Sequence, residues 1–382
     1  MATKHATDVH ASITKLREDV ADFWAPLHEV ARVDASSLSA LEFYRRFVSK
    51  SVPVVLTNVM ANAPDWQQVL QHWHDDAYLV EQAGDDPVTV DVTPFGFGDA
   101  VLDLNTDRSD AQKTSEVFVM PEEREMTFSE FLAALNDRDG FEGVPYLSHQ
   151  NDSLRDEFPM LYQDVPAYLE LAKDAFGNEP DAVNIWIGDE RAVSTMHKDH
   201  YENMYCVVRG QKHFTLLPPA DIASLYESEF PSMRYRHQSS KEKAKEDDDD
   251  KDAPVLSADE IAANDAEAAR LTALFHEKYP QHTSWRIVAS PHTGDTPWIP
   301  VDPLQIDTTK FPLAQHLKPI ECVVNEGEVL YLPAMWYHRA TQLCQTISVN
   351  YWHDMEFDCR YVYYNFVHDI AAKFAKKAEA TS

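Results

Sequence analysis

VNIWIGDERAVSTMHKDHYENMYCVVRGQKHFTLLPP, from Val183 to Pro219, alternates short apolar runs with single polar residues and turn residues. That is the pattern of short β-strands. At its centre His197 and Asp199 form a His-x-Asp pair at the end of one such run. Side chains two apart on an extended segment point the same way, so an imidazole and a carboxylate converge on one cation. A second histidine from a distant strand completes a two-His-one-carboxylate set, which leaves neighbouring positions open on Fe(II). The candidate is His338, which closes GEVLYLPAMWYH (Gly327–His338). His74 and Asp76 also form a His-x-Asp. They follow Trp66, Val69, Leu70 and Trp73 at helical spacing, so the two side chains diverge and read as surface.

Outward from this stretch the chain reads as mainly β with α. Tyr205–Val208, a turn at Arg209-Gly210 and Lys212–Leu217 predict a hairpin. Glu321–Val324, a turn at Asn325–Gly327, Val329–Leu332 and Thr346–Trp352 extend the series. Antiparallel strands without intervening helices predict a sandwich or jelly-roll barrel. Ile13, Leu16, Val20, Phe23 and Trp24 recur at helical spacing, as do residues 38–47, and both helices are expected outside a sheet. Val52–Leu56 and Val88–Val92 read as strands, Asp65–Val80 as a helix, and Tyr146–His149 as a strand. Thr127-Phe-Ser-Glu130 is a capping box that opens a helix to Leu135. Phe95-Gly-Phe-Gly98 lacks the further glycine or Gly-Lys-Ser/Thr of a phosphate cradle. The expected organisation is an N-terminal helical segment at 1–37, one β domain at 38–355 with an acidic insertion near 238–268, and a C-terminal helix at 356–382. Tyr363, Phe366, Val367, Ile370 and Phe374 share one face of that helix. The face covers the barrel or joins two copies in a homodimer.

Composition narrows the function. A net charge of −31 over 382 residues repels phosphate backbones and excludes nucleic acid as a partner. The four cysteines show no CxxC spacing, which predicts reduced thiols in the cytoplasm or nucleus rather than a zinc module. There is no apolar run of membrane-spanning length and no signal-peptide pattern. The run from Ser239 to Asp252 is too polar to bury a core and is expected to be a solvated loop, with Ala258–Phe275 a surface helix after it.

Lys212 lies where its ammonium points into a barrel, as a partner for the distal end of a dicarboxylate. On a strand flanked by His213 and Phe214 the bland alternative is a snorkelling surface lysine. Ser194 offers a hydroxyl to the same carboxylate. Asn203 and Asn350 are polar residues on apolar strands, either strand-end amides or groups that orient ligands and co-substrate.

Together these segments resemble the JmjC branch of the cupin superfamily, the 2-oxoglutarate-dependent oxygenases, and within it the lysyl hydroxylases. The resemblance rests on Asp181–Pro219, TPWIPVDPL (Thr296–Leu304), Gly327–Ala340 and SVNYWHDMEFD (Ser348–Asp358), with VTVDVTPFGFGDAV and MPEEREMTFSEFLAAL in the N-terminal half. It runs from about Leu41 to Tyr364. It implies a double-stranded β-helix that holds Fe(II) through His197, Asp199 and His338. It further implies that Lys212, Ser194 and Tyr146 bind 2-oxoglutarate at the carboxylate remote from iron, with Asn203 and Asn350 lining the same pocket and O2 as second co-substrate. The implied reaction is C-3 hydroxylation of a lysine in a protein substrate, a GTPase of the developmentally regulated GTP-binding class. Two features depart from the family pattern: Ser194 stands where threonine is usual, and the acidic insertion has no counterpart. A lysine demethylase would share the iron chemistry, though four scattered cysteines build no zinc reader module. A silent cupin scaffold would lack a ligand or the lysine. A cupin enzyme independent of 2-oxoglutarate would not need Lys212.

Overall fold

The computed structural model describes residues 11–19, 22, 29–105, 115–150, 152–240, 257–290 and 294–379. Two sheets face each other, and their strands are numbered β1–β11 along the chain. They are β1 (Ala31–Asp34), β2 (Val54–Thr57), β3 (Phe97–Gly98), β4 (Ala182–Gly188), β5 (Val193–His197), β6 (Tyr201–Arg209), β7 (Gln211–Leu217), β8 (Ile320–Asn325), β9 (Val329–Leu332), β10 (Tyr337–Gln342) and β11 (Thr346–Asp354). The larger sheet has the order β1-β2-β9-β6-β11-β4 and the smaller β8-β7-β10-β5-β3. This is the jelly-roll expected from the strand pattern.

The inner strands of the larger sheet are largely apolar on both sides because both sides are covered, whereas the edge strand β1 is mostly exposed. On β6, Met204, Cys206 and Val208 belong to a core shared with Phe43, Trp66 and Leu79 of the flanking helices. Tyr205 and Val207 face the other way, onto Phe214 and Leu216 of the opposite sheet. Period-2 alternation thus divides one strand between two cores.

Several expectations are corrected. The turn at Arg209-Gly210 does not close a hairpin. β6 pairs with β9 and β11, whereas β7 pairs with β8 and β10, so the chain crosses from one sheet to the other at Gly210. The turn at Asn325–Gly327 crosses back in the same way. Gly210 permits the crossing with φ +82 and a backbone that passes so close to Gln345 that a Cβ would meet its carbonyl oxygen at 2.5 Å. The single helix expected over 65–80 is two, Pro64–His72 and Asp76–Ala83, with Asp75 as N-cap of the second. His74 lies in the break. It pairs with Glu326, and Asp76 with Arg209, so the two do not converge.

The capping box at Thr127 and Glu130 is present on the helix Phe128–Asn136. Residues 11–19 are helical, and Ile13 packs with Leu217 of the smaller sheet and with Ile222; Val20, Phe23 and Trp24 lie outside the described residues. The expected solvated loop at 239–252 falls outside them from residue 241 onward. Helix Ala258–Lys278 follows, and its Leu271 and Phe275 are buried against strand Trp285–Ala289. The C-terminal helix Cys359–Glu379 docks through Tyr364, Val367, Ile370 and Ala371. Of the face named from sequence, Val367 and Ile370 thus cover the barrel, whereas Tyr363 and Phe366 are 68% and 63% exposed; the side chain of Phe374 lies outside the described residues.

Candidate metal centre

The cleft between the sheets is lined by His197, Asp199 and His338 together with Ser194, Lys212 and Asn350. The two histidines are cross-strand partners on β5 and β10, with ring centroids 4.2 Å apart. β5 is irregular between Ser194 and His197, which swings His197 toward its partner. Asp199 lies two residues beyond the end of β5, so its loop rather than strand alternation aims it; its carbonyl accepts from the Met335 N–H at 2.9 Å. Lys198, between the two ligands, turns the opposite way onto Glu227.

The free atoms converge. His197 Nε2 is 3.8 Å and His338 Nε2 3.5 Å from Asp199 Oδ2, and the three ligand atoms lie within 4.8 Å of one another. Each Nδ1–H donates to a backbone carbonyl, His197 to Thr195 at 2.7 Å and His338 to Trp336 at 3.1 Å. Those bonds fix the tautomer that leaves both Nε2 lone pairs pointing inward, as a metal ligand requires. Burial, reinforced by His197, pushes His338 down to about 4, so it is neutral and ready to ligate at neutral pH. The donor set of two imidazoles and one carboxylate fits a divalent first-row metal such as Fe(II).

Lys212 is the second feature. It lies on β7 with 2% of its surface exposed, and its ammonium donates to Tyr146 Oη at 2.9 Å and Tyr205 Oη at 2.6 Å. No carboxylate pairs with it among the described residues, and burial drives it down to about 7. A buried ammonium held only by phenols is prepared for an anion. Ser194 and Gln342 come within hydrogen-bonding reach of the Tyr146 hydroxyl. Asn350 accepts from Trp186 Nε1 at 2.8 Å and donates to Asn203 at 3.3 Å, so both amides sit on the wall as a connected pair. The eight residues singled out in the sequence are therefore brought to one cleft or its immediate wall.

Sequence reasoning placed His338 on a distant strand without giving the bounds of β10, and gave no role to Tyr205, Trp298 or Trp352. Tyr205 was legible as an inward residue two positions from Asn203. Trp298, in contrast, comes from a distant strand to lie parallel to His197, with centroids 5.9 Å apart and planes 8° apart. It is held by its indole donating to Thr195 Oγ1 at 3.0 Å.

A jelly-roll with such a triad between its sheets defines a cupin-type metal protein. The chain matches the Cupin-like domain family over residues 40–359 and belongs to it, within the JmjC branch. It is 34% identical to JmjC domain-containing protein E of Dictyostelium discoideum, over 95% of this chain and 94% of that one. It is 33% identical to Lysine-specific demethylase JMJ32 of Arabidopsis thaliana, over 94% and 93% respectively. It is also 33% identical to the human Bifunctional peptidase and (3S)-lysyl hydroxylase JMJD7, over 86% and 85%.

Proposed function

We propose that the chain is an Fe(II)- and 2-oxoglutarate-dependent oxygenase that hydroxylates a lysine side chain at C-3 in a protein substrate, a GTPase of the developmentally regulated GTP-binding class. One observation carries the reading: a convergent His197–Asp199–His338 set and an anion-ready Lys212 share one cleft. Bound there, iron and 2-oxoglutarate supply an O2-driven oxidation in which 2-oxoglutarate becomes succinate and CO2 while one oxygen enters a substrate C–H bond.

His197, Asp199 and His338 would hold the metal. Lys212, Tyr146 and Ser194 anchor the remote carboxylate, and Asn203 and Asn350 line the pocket beside it. The walls, Trp186, Phe214 and Trp352 among them, exclude water. A charge of −31 favours a basic, lysine-bearing protein surface and disfavours nucleic acid. Four cysteines without a paired spacing support a cytoplasmic location, with the nucleus as the alternative. No helix of the described residues is long and apolar enough to cross a membrane.

A second reading has its own support: the Arabidopsis relative, of similar identity, is named a demethylase. Hydroxylation of an N-methyl group releases formaldehyde, whereas hydroxylation of lysine carbon leaves a stable product. Fe(II)-loaded protein is therefore to be incubated with 2-oxoglutarate and recombinant GTPase, with peptide masses and succinate scored. A gain of one oxygen on lysine, abolished in His197→Ala, is the expected result. Loss of a methyl group from a methylated peptide, with formaldehyde, would replace hydroxylation with demethylation.

A further inference from the structure

The short β-ladder that follows β7 reaches back to the metal centre from outside the barrel. Strand Ser228–His237 pairs with strand Asp295–Trp298, and the register sets Ser228 opposite Trp298. Glu227 stands one residue before that rung. Two side chains from one place in the ladder therefore arrive together at the His-x-Asp segment. Trp298 lies flat on His197, and Glu227 accepts from Lys198 Nζ at 2.8 Å through both carboxylate oxygens.

Each contact fixes a different freedom. Trp298 donates to Thr195 Oγ1 at 3.0 Å, and Thr195 donates in turn to the Asp99 carbonyl at 2.5 Å. The Thr195 carbonyl accepts from His197 Nδ1–H at 2.7 Å. One residue thus seats both the edge of the imidazole and the indole that covers its face. Phe118 packs on Trp298, with centroids 4.8 Å apart. Trp298 is not among the residues that line the cleft, so it meets the ligand from behind. It is only part-buried and belongs to none of the apolar cores, so core packing gives no account of its seat.

Glu227 acts on the backbone. Lys198 lies between His197 and Asp199, and the Lys198–Glu227 pair is largely removed from water, with side chains 15% and 11% exposed. Such a pair brings little net stability, because desolvation offsets the attraction. What it fixes is direction: Lys198 drawn outward onto Glu227 leaves His197 and Asp199 turned inward. Tyr337, the neighbour of His338, joins the same cluster. Its hydroxyl is 3.5 Å from Glu227 and its ring 5.5 Å from the Lys198 ammonium. Residues beside all three ligands are thus held at one point.

We infer that Trp298 and Glu227 are positioning residues: one ladder outside the jelly-roll holds His197, Lys198 and Tyr337 so that the three ligand atoms meet a metal in the right geometry. The inference rests on the metal site of the oxygenase reading above and is independent of its substrate.

The test is anaerobic titration of Co(II), a spectroscopic stand-in for Fe(II), into metal-free protein, followed by its d–d absorption. Trp298→Leu removes the flat face and the N–H, whereas Trp298→Phe keeps the face. Glu227→Gln combined with Lys198→Met removes both charges, so no buried charge is stranded. The expected result is Co(II) binding weakened about tenfold or more, with a displaced band, in Trp298→Leu and in the double variant, as for the loss of partners that orient metal ligands. Trp298→Phe falls between these and wild type. Wild-type affinity and band in the folded variants would overturn the inference. Weaker binding with an unmoved band would mark general loosening of the fold and overturn it as well. Should Trp298→Leu not fold, Thr195→Val, which takes away the indole's acceptor, carries the same expectation and the same overturning result. Wild-type protein that takes up no Co(II) would sink the oxygenase reading and this inference together. Wild-type protein that binds Co(II) and ignores 2-oxoglutarate would sink the oxygenase reading alone.

Discussion

Lys212 shows how a single side chain links stability to function. Its ordinary value near 10.5 falls to about 7 through burial, so the fold disfavours the charged form that an anion needs. A carboxylate seated on the ammonium restores the charge. Above pH 7 binding must therefore take up a proton. The affinity for 2-oxoglutarate is level below about pH 7 and falls as pH rises, with a slope approaching tenfold per unit. Calorimetry in buffers of different ionisation heat checks this, and a pH-independent affinity would contradict it. The sign for folding is opposite. A depressed folded value means that apoprotein stability is lost as pH falls from about 10.5 toward about 7 and is level below that. Lys212→Met is accordingly expected to stabilise the apoprotein at pH 6 by about 1 kcal/mol while abolishing 2-oxoglutarate binding, a trade of function for stability.

At the scale of elements, the glycine-rich segment Phe95–Gly98 has a mechanical purpose in place of the phosphate cradle that its composition first suggests. Gly96 has φ +95, and a Cβ there would meet the Arg191 carbonyl oxygen at 1.9 Å. This contact lets β3 run beside β5, pairing Phe97 with Val193 and Gly98 with Ser194. Gly96→Ala forces the two segments apart and adds left-handed strain. We expect a loss of about 2 kcal/mol or more in denaturant unfolding, together with weaker 2-oxoglutarate binding because Ser194 moves with β5. The two crossings at Gly210 and Gly327 belong to the same scale. A turn signal between two strand patterns predicts that the chain bends; it does not tell whether the strands then pair with each other or join opposite sheets. Side-chain volume across the cleft settles that, since Tyr205 and Phe214 meet edge to face at 5.1 Å between sheets.

For the whole molecule, the C-terminal helix leaves a band of Val362, Tyr363 and Phe366 bare, each more than half exposed. A row of large apolar side chains on one helix marks a contact surface, and a self-complementary contact between two copies is the commonest solution. Wild-type protein is expected to sediment as a homodimer and Phe366→Glu as a monomer. A monomeric wild type would exclude the dimer.

The amino-acid sequence by itself determined the strand periodicity and the inward lysine, because each is a local pattern that backbone geometry translates directly into direction, and it named the His-x-Asp pair and its distant histidine without fixing how Asp199 is aimed. Asn203, Asn350, Ser194 and Tyr146 were legible too, as polar residues in apolar surroundings and through their place in a known pattern. Tertiary structure alone decided the rest. The bend that frees Asp199 from its strand, the parallel stack of Trp298 on His197 and the seat of Lys198 on Glu227 each depend on a contact between residues far apart in the chain. No run of neighbours encodes the distance between two sheets; packing sets it, and the chemistry of the cleft depends on that distance.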